Sequence, residues 1–390
     1  MGRKTDSFVT PTPDVQFYNR ETADQIVWPE TADGEYARRY LLPFLTDGPQ
    51  TYIRNVHNTE LLVAQVGEKI LPLTVSTFHP DNSYTCSPYS HYVSYGGYEE
   101  VHRLDNPPVE ALIRAVLHPV AWYLRRAGLD RVIYINNWLL STNLYPRLDE
   151  ATVHALAQAL PERFPDRTIV FRSVDGRANP LLLETLRGEG YRMVLSRQVW
   201  YMQPEEARRT RQVKEDARVL RHHSYEIVDG TALTDDELTR CLELYNRLYL
   251  EKYSYYNPQF TPAFLRLAKD GEILHMRALR RDGQINGVMG FFVRNGLMTQ
   301  PFFGYDTRLP MDEGLYRLLT LITLQEGEAR NLLVHASGGV GKFKKARGGK
   351  SVIEYNAVYD CHLPIHRRVP WRILQQISAA AIPIFQKNDF

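Results

Sequence analysis

Four residues at the ends of two apolar runs could do acid–base chemistry: Tyr305, Asp306, His335 and Ser337. The runs, residues 297–305 and 331–336, read as strands. These side chains therefore fall at strand C-terminal ends, where the crevice of an open α/β sheet lies. There Asp306 could accept a proton, and Tyr305 or Ser337 could donate a hydrogen bond to developing negative charge. His335 reads first as a satisfied core histidine. Just beyond, residues 336–343 nearly repeat the phosphate-cradling loop G-x-x-x-x-G-K-[ST]. Alanine replaces its first glycine, and Phe343 stands where a magnesium-binding hydroxyl belongs. Two readings remain for this segment. One is an anion-binding turn built from Gly341, Lys342, Lys344, Lys345 and Arg347; the other is a tight turn followed by a solvated basic helix.

Tyr253, Tyr255, Tyr256 and Asn257 form a loop after a helix. Rings with apolar bodies and polar tips suit an acceptor pocket, and a loop tucked against the sheet accounts for them equally. An earlier cluster, Tyr84 to Tyr98, alternates like a strand and reads as structural. Arg208, Arg209, Arg211, Lys214, Arg218 and Arg221 recur largely at three- and four-residue spacing, which gives one helical stripe. That stripe could grip a tRNA phosphate backbone, or be solvated and paired with Glu205, Glu206, Glu215 and Asp216.

The elements that must position these residues repeat. Residues 60–66 and 70–78 read as a hairpin. A helix over 109–127 follows, then a strand at 131–136, a helix at 150–164, a strand at 168–173, a helix at 180–189 and a closing strand at 192–202. After a charged helical connector, a second α/β series runs to a closing strand at 351–359, with a final helix over 370–385. Near residue 35–42 a helix is expected to stop at Pro43. Both closing segments show a helix, a glycine stop and a strand ending in Val and Tyr, which predicts duplication. The expected organisation is an N-terminal extension (1–50), a first domain (51–203), the connector (204–223), a second domain (224–365) and a C-terminal helix (366–390). The fold class is α/β with mixed sheets, in two tandem domains, as a length of 390 residues allows.

Composition narrows the rest. A formal net charge of +2 leaves any attraction to nucleic acid to a local patch. Cys86, Cys241 and Cys361 are scattered and odd in number, which points to a reducing compartment. No ligand spacing predicts a metal. The N-terminus lacks a signal-peptide core and no run is long enough to span a bilayer, so a cytoplasmic protein is expected.

Four features resemble the GNAT superfamily and its FemAB-like branch, over about residues 225–359 and more weakly over 60–202. They are the basic connector Arg208-Arg209-Thr-Arg211-Gln-Val-Lys214, the strand Gly287-Val-Met-Gly-Phe-Phe-Val, the run Phe303-Gly-Tyr-Asp306 ahead of a helix, and Gly341-Lys-Phe-Lys-Lys-Ala-Arg-Gly-Gly349. The resemblance implies transfer of an acyl or aminoacyl group to an amine, with the active site in the second domain near the interface and the first domain shaping the acceptor site. It also implies a donor site at the loop running from Arg308 to Gly314. That loop departs from the Q/R-x-x-G-x-G/A pattern that holds coenzyme A pyrophosphate, because it has one glycine, a proline and the acids Asp312 and Glu313. Acyl-coenzyme A, a carrier-protein thioester and aminoacyl-tRNA all stay open as co-substrates, with no permanently bound cofactor expected. A binding module without catalysis is the non-enzyme alternative.

Overall fold

The computed structural model describes residues 13–99 and 107–387. The first twelve residues of the N-terminal extension and the last three of the C-terminal helix therefore lie outside the described residues. The first half contributes β1 (Val15–Tyr18), β2 (Thr59–Val66), β3 (Lys69–Ser76), β4 (Val132–Ile135), β5 (Thr168–Val174) and β6 (Arg192–Met202). The second contributes β7 (Glu226–Asp229), β8 (His275–Arg281), β9 (Gln284–Arg294), β10 (Leu297–Tyr305), β11 (Leu333–His335) and β12 (Lys350–Tyr359). All twelve form one sheet in the order β1-β2-β3-β4-β5-β12-β6-β11-β10-β9-β8-β7.

The order is symmetric about its centre. In each half, four strands in antiparallel succession are followed by a fifth that runs parallel to the fourth: β5 beside β4, and β11 beside β10. The sixth place is then filled by the other half. β12 lies against β5 and β6 lies against β11, with β6 and β12 antiparallel to each other in the middle. The duplicated α/β series expected from sequence is thus present, with its closing strands exchanged. β4 and β5 are fully buried, and apolar but for Thr168, Arg172 and Ser173 of β5, as suits strands covered by helices on both faces.

Helices Glu150–Arg163 and Pro180–Gly188 cover one face of the first half around Leu156, Leu160, Phe171 and Leu186. Helices Pro107–Arg126 and Ile365–Lys387 cover the other around Leu124, Val194, Val358 and Trp371. In the second half, Asp235–Asn246 and Pro262–Asp270 pack on one core, and Arg211–His222 with Leu315–Ala329 on another. A capping box at Thr234 and Glu237 starts the first of these helices.

Two expectations need correction. Pro43 does not end its helix, which runs Ala32–Asp47. Leu41, Phe44 and Leu45 are buried on both sides of the proline, and this packing outweighs the one lost hydrogen bond. The tyrosine-rich segment is no strand either: Ser90–Glu99 is a wide helical turn. Its start is held by the buried Asp130, whose carboxylate accepts from Ser87 Oγ and Tyr89 N, both at 2.7 Å.

Candidate active site at the central seam

The exchange of closing strands sets two charges face to face. Arg197 of β6 and Glu354 of β12 are register partners, and Arg197 Nε lies 3.0 Å from Glu354 Oε1. Burial alone would raise the Glu354 carboxyl, but Arg197 and His335 hold it at about 2. The same guanidinium donates to the Ser141 carbonyl and to Thr142 Oγ1, both at 2.8 Å, and to Ser337 Oγ at 3.1 Å. One side chain therefore ties a loop of the first half, β12 and the segment after β11 together.

That segment is sharply coiled. Ser337, Gly339 and Val340 all have left-handed backbone, with φ of 58°, 73° and 46°. The path turns the carbonyls of Ser337 and Gly338 onto Lys344 Nζ, at 3.1 and 2.8 Å. Gly349 completes the turn where no larger residue fits, since a Cβ there would stand 2.8 Å from the Lys344 carbonyl oxygen. Lys344 is buried. Burial, reinforced by the Arg197 charge, pushes its amine down to about 7. No carboxylate pairs with it among the described residues. Beside it, His335 Nδ1 accepts from Ser337 N at 3.2 Å, while its buried Nε2 has no hydrogen-bond partner and lies 3.7 Å from Glu354 Oε2.

The residues proposed from sequence divide accordingly. Ser337 and Lys344 meet at the seam, and Gly341 opens the short helix Gly341–Ala346 that carries Lys344. Tyr305 approaches through a run of rings: it lies 6.3 Å from Tyr316, which lies 4.7 Å from Phe343. Lys342 and Lys345 are exposed. Arg347 is not a free anion ligand. It grips Asp216 with Nε and Nη2 at 2.7 and 3.0 Å, and Arg317 shares that carboxylate. Its role is to clamp the turn to the helix Arg211–His222.

Asp306 is likewise committed. Arg308, Arg240 and Arg247 surround it at 2.8, 2.6 and 3.4 Å. Hydrogen bonds from Arg308, aided by Arg240, hold its carboxyl far below the usual range in spite of burial. A carboxylate so stabilised is a poor proton acceptor, which speaks against the base role. Arg308 is thereby drawn onto Asp306. Gly314, with a left-handed φ of 63°, starts the helix Leu315–Ala329. Glu313 faces away toward Arg281, at 2.8 and 3.0 Å.

Of the proposed acceptor residues, Asn257 is a buried staple, donating to the carbonyls of Tyr249 and Ser254 at 3.1 and 3.0 Å. The Tyr256 carbonyl accepts from Tyr84 N at 3.0 Å and from Ser83 Oγ at 3.2 Å, so this loop docks on the first half. Tyr253 and Tyr255 keep exposed rings. Sequence reasoning passed over Arg197 and Glu354, and read as structural Tyr84, which is buried within the reach of the Arg197 charge. The available signal was an opposite charge in the middle of each closing strand.

Compared with known structures, the chain is similar to FemX at a TM-score of 0.53, over 92% of this chain and 100% of that one, with 7% identity. Its fold is the tandem GNAT-type fold. A tandem GNAT protein of the clavulanic acid biosynthesis pathway is similar over 88% of this chain and 98% of that one, at 13% identity and a TM-score of 0.39. The C-terminal domain of a lysylphosphatidylglycerol synthetase from Agrobacterium fabrum, itself described as putative in function, is similar over 60% of this chain and 79% of that one, at 14% identity and a TM-score of 0.45. A scan of protein-family models gives no match, and a search of curated proteins gives none either. No helix among the described residues is long and apolar enough to cross a membrane.

Proposed function

We propose that this chain transfers an acyl or aminoacyl group from an activated donor to an amine at the seam of β6, β11 and β12. The observation that carries the reading is Lys344. Its buried amine touches two carbonyls and no carboxylate, next to an arginine already balanced by Glu354. A dry site with an unmatched cation suits a substrate that brings, or develops, negative charge. In transfer, the lone pair of the acceptor amine attacks the donor carbonyl carbon. The bond from that carbon to the leaving sulfur or oxygen then breaks. Charge passing through the carbonyl oxygen is stabilised by the Lys344 ammonium. With its amine near 7, Lys344 can protonate the leaving atom and be restored by the proton that the acceptor nitrogen gives up. Tyr253 and Tyr255 supply exposed rings for the acceptor side.

Two observations favour aminoacyl-tRNA over a coenzyme A or carrier-protein thioester as donor. Arg308 is paired with Asp306 beside a loop that already lacks the pyrophosphate glycines. Lys214, Arg218 and Arg221 form an exposed stripe without ion pairs among the described residues, on the helix that Asp216 fastens to Arg347. The deciding experiment supplies acyl-coenzyme A or bulk aminoacyl-tRNA with a panel of amines and follows donor deacylation. Amine-dependent consumption that Lys344→Met abolishes supports the reading. If neither donor is bound or consumed, or if Lys344→Met turns over as fast as the parent, the reading fails and a binding module takes its place.

A further inference from the structure

The helix Pro107–Arg126 is apolar on two sides. Its inner side, with Ala121 and Leu124, packs beside Trp371 and Leu374 of the C-terminal helix. Its outer side leaves Leu112, Val116 and Trp122 exposed by 68%, 63% and 63%. Together with the exposed Pro119 these positions follow the helical period along one stripe. Trp122 ends the stripe, with the Arg126 guanidinium 5.6 Å from its ring centroid. The C-terminal helix Ile365–Lys387 covers the same face of the sheet and exposes Ile377 in turn. Arg367 ties the C-terminal helix to the turn that follows the helix Pro107–Arg126, donating to the carbonyls of Gly128 and Arg131 at 3.2 and 3.3 Å.

Charge on this face is mainly positive. Residues 111–128 contain Arg114, Arg125 and Arg126 and no carboxylate; residues 365–387 contain Arg367, Arg368, Arg372 and Lys387 and no carboxylate. The one acid of the helix Pro107–Arg126, Glu110, is neutralised by Arg114, and the flanking acid Asp360 by Arg192. An exposed apolar stripe on a face of net positive charge, with tryptophan beside arginine at its end, matches the pattern of helices that lie in a lipid interface. A second copy of the chain fits poorly, because a two-fold contact would set these arginines against themselves. We propose that this face docks on an anionic lipid surface, lying in the plane of the headgroups. The inference is independent of the transfer chemistry at the seam.

Flotation of the full chain with phosphatidylcholine vesicles, with and without phosphatidylglycerol, tests it. Binding is expected with the anionic vesicles, falling as salt rises. Arg125→Gln and Arg126→Gln should each weaken it about fivefold, and Leu112→Ser with Trp122→Ser should remove it. Chain-brominated lipid should quench the parent's fluorescence, and Trp122→Phe should abolish the quenching. These positions are exposed, so an unchanged melting temperature will show that the variants fold. Failure to bind anionic vesicles at low salt overturns the proposal, as does binding that survives Leu112→Ser with Trp122→Ser. A dimer in light scattering that this double variant dissociates overturns it too, and assigns the face to a second copy.

Discussion

Two ionic clusters of this molecule are built to opposite plans. At the end of β10, Asp306 is ringed by the guanidiniums of Arg240, Arg247 and Arg308. At the seam, Arg197 meets Glu354 across adjacent strands, and Lys344 is left with carbonyls. The first arrangement fixes a carboxylate in its ionised form, and so removes it as a base while bracing the loop after β10. The second leaves an amine that can titrate near neutrality. A charged residue type is the same kind of signal in both places. Local charge balance separates a strut from a reactive group.

This contrast can be broken by substitution. Glu354→Gln should have the largest effect, about 3–5 kcal/mol of lost stability in denaturant melts, because it strands the Arg197 charge in the interior. Lys344→Met should lower the transfer rate by about a hundredfold or more while leaving the melting temperature unchanged or raised. Lys344 also carries a pH signature. Its folded amine titrates near 7, below an ordinary lysine, so above that pH the unfolded chain holds a proton the folded chain has released. Stability should therefore rise between about pH 7 and 10, and Lys344→Met should flatten that rise. Asp306→Asn should cost about 1.5–3 kcal/mol through its lost charged hydrogen bonds, with the transfer rate per folded molecule kept; a rate collapse would restore Asp306 as a catalytic candidate. The smallest effect is expected at Asp130, which burial pushes up to about 6. There the folded chain keeps a proton the unfolded chain has lost, so stability should fall between about pH 4 and 6, and Asp130→Asn should remove that fall.

Much of the fold was legible because its signals are local. Helix periodicity, glycine stops and the matched ends of the two closing segments all report on short windows of chain, and they predicted a duplicated α/β architecture. The turn around Gly341 and Lys344 was legible for the same reason, since clustered glycines and lysines are visible without a partner. Arg197 and Glu354 were not, because each makes sense only beside the other, 157 positions away, in strands that trade places. Arg347 misled for the converse reason, since its charge is neutralised by the distant Asp216, and Asp306 is held by the distant Arg240 as well as by Arg308 two residues on. The Ser90–Glu99 turn depends on Asp130, and again the controlling residue is distant.

The exchanged strands also govern how the chain comes into being. β6 leaves the ribosome facing a gap that only β12 can fill. At ordinary elongation rates the intervening residues take on the order of ten seconds to appear. Through that interval the nascent first half carries open edges on β5 and β6, the kind of edge that invites pairing with another chain. Assembly must therefore wait for β12, and the reactive turn at Lys344 and the strand that completes the first half arrive together.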